Sequence, residues 1–172
     1  MKQGLLILLL FLSGCTAKPE GITPVSGFEL NRYLGNWYEI ARLDHRFERG
    51  LERVTASYSM REDGGVRVIN RGFDTAKGVW KQAEGRAYFV NRPDIAHLKV
   101  SFFGPFYGAY VVFELDDNYQ YALVSGPDRD YFWLLARTPE LPPEVQQRLI
   151  SSAREAGFAT DELIFLEHRK DI

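Results

Sequence analysis

The chain has 172 residues, 45% of them hydrophobic and 14% aromatic, enough apolar material to give one domain a sizeable core and too much for a disordered chain. Lys and Arg number 21 against 23 Asp and Glu, a formal net charge of −2, so the basic footprint of a nucleic-acid partner is missing. Cys15 is the single cysteine, which excludes an intramolecular disulfide and leaves packing to hold the fold.

Residues 5–12 form an unbroken apolar run behind Lys2. The run is far short of the roughly 20 residues that span a bilayer as a helix and has the length of a signal-peptide core. Leu12-Ser13-Gly14-Cys15 resembles the lipobox of bacterial lipoproteins. That resemblance implies cleavage before Cys15, a diacylglyceryl group on its thiol and a further acyl chain on the freed amine. Such chemistry needs the nucleophilic thiolate that only a cysteine supplies, and two or more chains anchor stably where one is marginal. Residues 1–14 are then a lipoprotein signal peptide, 15–24 an acylated N-terminus with a tether of small, polar and structure-breaking residues, and 25–172 the folded domain. In such lipoproteins an Asp after the cysteine commonly means retention at the inner membrane. Thr16 stands there instead, which points to the outer membrane, periplasmic face. An ordinary secretory signal with an incidental cysteine is the alternative.

Beyond the tether, short segments rich in Val, Tyr, Phe and Trp alternate with Gly, Asp, Asn and Pro, an all-β rhythm. Strands are expected near 36–44, 53–60, 65–73, 79–90, 97–103, 107–115, 119–125 and 131–137. The turns between them include Glu62-Asp63-Gly64-Gly65, Gly104-Pro105, Asp116-Asp117-Asn118 and Gly126-Pro127-Asp128, all of turn-forming composition. Leu98, Val100 and Phe102 alternate with Lys99 and Ser101, whereas 131–136 is apolar on both faces. A strand of that kind needs cover on its outer side. The expected cover is a helix from about Pro143 to Ala156, with Val145, Leu149 and Ala153 at helical spacing and Gly157 just past its end. Residues 163–166 read as one further short strand. Short connections favour antiparallel neighbours, and eight strands can close as a barrel or stack as a sandwich. Closure is preferred because it removes exposed edges.

Gly35-Asn36-Trp37-Tyr38, at the start of the first strand, resembles the Gly-x-Trp motif of the lipocalins. Gly126 to Tyr131, with Asp130-Tyr131 lacking the Thr that commonly precedes them, resembles the second lipocalin motif, and Arg137 matches the third. Residues 46–52 and 99–106 resemble the bacterial outer-membrane lipoprotein branch of that family. The resemblance covers about residues 25–168. It implies an all-β, eight-stranded antiparallel up-and-down β-barrel with a C-terminal α-helix packed outside, and lipophilic ligands in the barrel. In the bacterial branch these are fatty acids or lysophospholipids. It also implies that Arg137 stacks on Trp37, a contact of roughly 0.5 to 2 kcal/mol. Gly35 permits entry into the first strand where a Cβ would clash. These motif residues carry the fold rather than the ligand.

The functional expectation rests on the interior, since a small-ligand site is concave, mostly apolar and fitted with a few polar groups. Val100, Phe113, Tyr121 and Trp133 are the inward candidates, with Glu39 and Tyr88 as polar groups near the mouth or wall. Each aromatic could equally face the core or the helix, because one bulge inverts a strand's parity. Arg42, Arg46, Arg49 and Arg53 cluster around the first long loop and could meet a carboxylate or phosphate head group. Interleaved Glu48 and Glu52 favour an ordinary salted surface.

His45, His97 and His168 lack metal-ligand spacing, so no metal and no cofactor is expected. Asp44-His45 lacks a nucleophile, and the chain is not read as an enzyme. Two alternatives stand beside lipid binding: a structural envelope lipoprotein with a filled barrel, and a small lipid-modifying enzyme using Asp44 and His45. The apolar strand at 131–136 and residues 102–107 could serve a partner, including a homodimer, or lie under the helix.

Overall fold

The computed structural model describes residues 16–168, so Cys15 and the signal segment lie outside the described residues. A one-turn helix α1 (Leu30–Tyr33) precedes eight strands: β1 (Gly35–Arg42), β2 (Leu51–Met60), β3 (Val66–Asp74), β4 (Val79–Phe89), β5 (His97–Phe103), β6 (Phe106–Leu115), β7 (Tyr121–Ser125) and β8 (Phe132–Ala136). Helix α2 (Pro143–Glu155) and a short strand β9 (Ile164–Phe165) follow. Each strand pairs antiparallel with its successor, β8 returns to β1, and β1 also pairs with β2, so the sheet closes on itself. Strand β9 then adds to β1 outside the barrel, opposite Ala41 and Arg42.

The barrel has two apolar layers, which explains why β8 is apolar on both faces. Trp37, Val112, Ala122, Val124 and Leu135 pack inside. Val111, Leu123, Phe132, Leu134 and Ala136 face outward under Leu149 and Ala153 of α2 and Phe158 beyond it. A fully buried side chain of that size contributes about 1.5 to 3 kcal/mol, so the helix is an integral part of the core. Pro143 at its first turn and Gly157 just past its end, at φ +90°, bound it as their backbone preferences require. The apolar strand at 131–136 therefore meets the helix and is unavailable to a partner.

Bulges set which residues face in. In β1 the register moves from Glu39 opposite Leu135 to Ala41 opposite Leu134, so Ile40 is extra, and Ile40 and Ala41 both join the outer layer. Arg42, opposite Trp133, returns to the inner side. In β6 the register moves from Val112 opposite Val124 to Glu114 opposite Leu123. Phe113 is the extra residue there.

Two features depart from the sequence reading. Residues 30–33, too short for any periodic signal, form α1, which closes one end of the barrel through buried Tyr33. The described part of the tether is not a free spacer. Ile22 is buried against the outer layer, and Arg129 of the β7–β8 turn donates to the Glu20 carbonyl at 2.7 Å.

Candidate functional site

One end of the barrel is shut by α1 and Trp37. At the other lie the β1–β2 loop (residues 43–50) and the β3–β4, β5–β6 and β7–β8 turns. Between them is a cavity of about 620 Å³, counting the part open to solvent. Its wall is mainly apolar, with Phe28, Val66, Val68, Leu98, Val100 and Phe102 among the contributors. This surface follows from alternation in β3 and β5, whose intervening residues point outward.

Three tyrosines add polarity toward the closed end. The Tyr110 hydroxyl lies 2.7 Å from that of Tyr33 and 2.8 Å from that of Tyr58. Burial pushes the Tyr33 and Tyr110 phenols well above their ordinary range, so they remain protonated. Asn70 lines the wall as well.

The mouth end holds a buried ionic cluster. Arg42 donates from Nη1 to Glu39 Oε1 at 2.7 Å and from Nη2 to the Glu48 and Leu51 carbonyls. Glu48, folded in from the β1–β2 loop, accepts from Trp133 Nε1 at 3.0 Å, and His45 Nε2 lies 2.9 Å from the same carboxylate oxygen. Burial, and then the Glu48 carboxylate, push Glu39 well above the ordinary carboxylate range. Burial works on Glu48 in the same direction, but His45, Trp133 and Arg42 together outweigh it and hold that carboxyl below its usual value.

The expected inward set divides. Val100 and Trp133 line the cavity, and Glu39 is on the inner side of β1 beside it. Phe113 and Tyr121 are outside the barrel, contrary to expectation. Phe113 stacks on Phe158 at 5.5 Å and 19°, while Tyr121 accepts from Arg148 of α2. Both faces of β6 and β7 are apolar, so alternation could not assign their parity, and the true inward residues are Val112 and Ala122. Tyr88 is also outside: its neighbour Ala87 takes the inner position between Val66 and Val100, and the Tyr88 hydroxyl donates to Asp63. Asp130 and Tyr131 belong to the β7–β8 turn, where the Asp130 N–H donates to Asp128 Oδ1.

The four arginines do not converge on an anion site. Arg42 is internal, Arg49 pairs with Asp44 at 2.7 Å, Arg46 lies over Phe47, and Arg53 lies over Phe73 and Trp80. Asp44 is thus turned to Arg49 and His45 to Glu48. His97 and His168 bond the Thr16 and Glu39 carbonyls. Sequence reasoning missed Glu48, Asn70, Tyr58 and Tyr110 as cavity groups. The inward parity of Val66 and Val68 could have found Asn70.

Comparison with known proteins agrees with this architecture. "Outer membrane lipoprotein Blc" of Vibrio cholerae serotype O1 is 56% identical over 166 residues, covering 96% of this chain and 97% of that protein. Its namesake from Escherichia coli K12 is 56% identical over 149 residues, covering 87% and 84%. Insecticyanin from the tobacco hornworm Manduca sexta shares the fold at a TM-score of 0.70 and 20% identity, covering 90% of this chain and 88% of that one. The lipocalin-like domain family matches residues 28–168. The motifs, the closed barrel and these relatives agree, and the chain belongs to the lipocalin family.

Proposed function

We propose that the barrel binds the chain of a single amphipathic lipid, a fatty acid or lysophospholipid, for storage, transport or membrane maintenance, without catalysing a reaction. The observation that carries this reading is the cavity itself, mainly apolar along its wall and closed at one end by Trp37 and Tyr33. The protein would be held at the periplasmic face of the outer membrane through acylated Cys15, close to such lipids. The relatives named as outer membrane lipoproteins support the outer membrane and the lipid anchor.

Each buried CH₂ contributes about 0.8 kcal/mol, so ten methylenes offer roughly 8 kcal/mol before ordering costs. Micromolar affinity corresponds to about −8.2 kcal/mol, which is within reach. A delipidated form beginning at residue 16 should bind fatty acids or lysophospholipids at one site, with affinity rising with chain length until the cavity is full. Titration followed by tryptophan emission, to which Trp133 contributes from the wall, is the measurement. Absence of saturable binding at every chain length would favour the structural envelope role. For the anchor, intact-mass analysis of membrane-extracted protein should show an acylated Cys15, and Cys15→Ala should leave the protein unprocessed or soluble.

A further inference from the structure

The polar groups deep in the cavity do not satisfy one another. Tyr33, Tyr58 and Tyr110 bring three O–H protons, and the two hydroxyl contacts between them use two. Whichever way the bonds run, one proton is left over. On β3, Val68 is paired with Tyr58, and Asn70 occupies the next inward position toward the mouth. Its Oδ1 is shut off from solvent and has no hydrogen-bond partner. All four side chains line the one cavity, which therefore holds a surplus donor and a surplus acceptor in a mostly apolar wall, each costly to leave unmade.

We propose that this set is a subsite for a hydroxyl group carried on the lipid chain. A hydroxyl is both donor and acceptor, so it can give its proton to the Asn70 carbonyl and receive the leftover phenolic proton. A plain methylene satisfies neither, and a keto or ether oxygen only the phenol. Depth separates the subsite from the lipid head. Asn70 is in the middle of β3 and Tyr58 near the closed end of β2, whereas Glu48, Arg42 and His45 form a separate polar neighbourhood at the mouth. The preferred ligand is thus an acyl chain hydroxylated along its length. This inference rests on the reading that a lipid chain enters the barrel.

Calorimetric titration of the delipidated form beginning at residue 16 tests it, with stearate against stearates hydroxylated at successive mid-chain positions and against one hydroxylated beside its carboxylate. At least one mid-chain hydroxylated stearate should bind about fivefold to tenfold more tightly than its parent, the worth of one net hydrogen bond, and the chain hydroxylated beside its carboxylate should show no such gain. Asn70→Leu should abolish that preference while parent chains bind as well or better, whereas Tyr58→Phe, which leaves Tyr33 and Tyr110 with two protons for one contact, should keep it. Parent chains that bind with no hydroxyl preference, or a preference that survives Asn70→Leu, would overturn the subsite and leave lipid binding standing. If no chain binds saturably, lipid binding itself fails and the subsite with it.

Discussion

The guanidinium of Arg137 lies over the indole of Trp37, its central carbon 4.0 Å from the ring centroid. Its nitrogens donate to the carbonyls of Arg32, Tyr33, Asn36 and Tyr119, and the indole N–H donates to the same Tyr33 carbonyl at 2.8 Å. One cation thus joins α1, β1 and the β6–β7 turn across the closed end. Gly35 stands beneath it at φ +95°, a conformation that L side chains rarely adopt; a Cβ would meet Arg137 Nη1 at 3.4 Å, an ordinary contact, so the backbone angle and not the expected clash calls for glycine.

Trp37→Ala should therefore cost about 3 to 5 kcal/mol through lost packing and the cavity left behind. Arg137→Ala should cost about 2 kcal/mol or more, because carbonyls lose a charged donor. Urea unfolding of the form beginning at residue 16 measures both. Changes below about 0.5 kcal/mol would make the pair peripheral, as for ordinary surface substitutions.

The buried cluster at the mouth predicts a pH dependence. Burial and the Glu48 carboxylate raise the Glu39 carboxyl well above 4.5. A carboxyl raised in the folded state holds its proton more tightly there than when unfolded. Its stabilising contribution is full below the unfolded value and is lost as pH rises through the folded one. The stability of the native protein relative to Glu39→Gln should thus fall from mildly acidic to neutral pH. A difference independent of pH would show that Arg42 keeps Glu39 ionised throughout.

Val100 and Phe113 separate the interior from the helix side. Val100→Trp should fill part of the cavity and weaken lipid binding more than tenfold, with an overpacking cost of about 1 to 3 kcal/mol. Phe113→Ala should leave affinity unchanged and cost about 2 kcal/mol, since Phe113 is only partly buried between Phe132 and Phe158. Paired titrations and unfolding curves distinguish the two. The opposite pattern would place β6 one residue out of register.

Arg129 holds the N-terminal segment to the domain. It donates from Nε to the Ala156 carbonyl at 2.9 Å and from Nη2 to the Glu20 carbonyl at 2.7 Å. Arg129→Ala should cost about 1.5 kcal/mol, the worth of a charge-assisted hydrogen bond, and should speed amide exchange in residues 16–22. Unchanged exchange there would assign the hold to Ile22 and to the contact of His97 with the Thr16 carbonyl.

The resemblance to the lipocalins supplied the Trp37–Arg137 pairing, and the sequence by itself determined the β-strands and the outer helix. These rest on local signals: alternation in β3 and β5, turn residues between strands, and Pro143 and Gly157 bounding a helical spacing. Val100 was legible as an inward residue because Lys99 and Ser101 flank it.

Only the tertiary structure decided what meets inside the barrel. In β6 and β7 both faces are apolar, one against the cavity side and one against α2, so polarity carries no parity. The bulge at Phe113 then places two successive side chains on the same face. The meeting of Tyr110 with Tyr58, 52 residues apart, and of Trp133 with Glu48, 85 apart, depends on strand register and closure. Register is set by the packing of the whole sheet, which no local stretch of residues encodes.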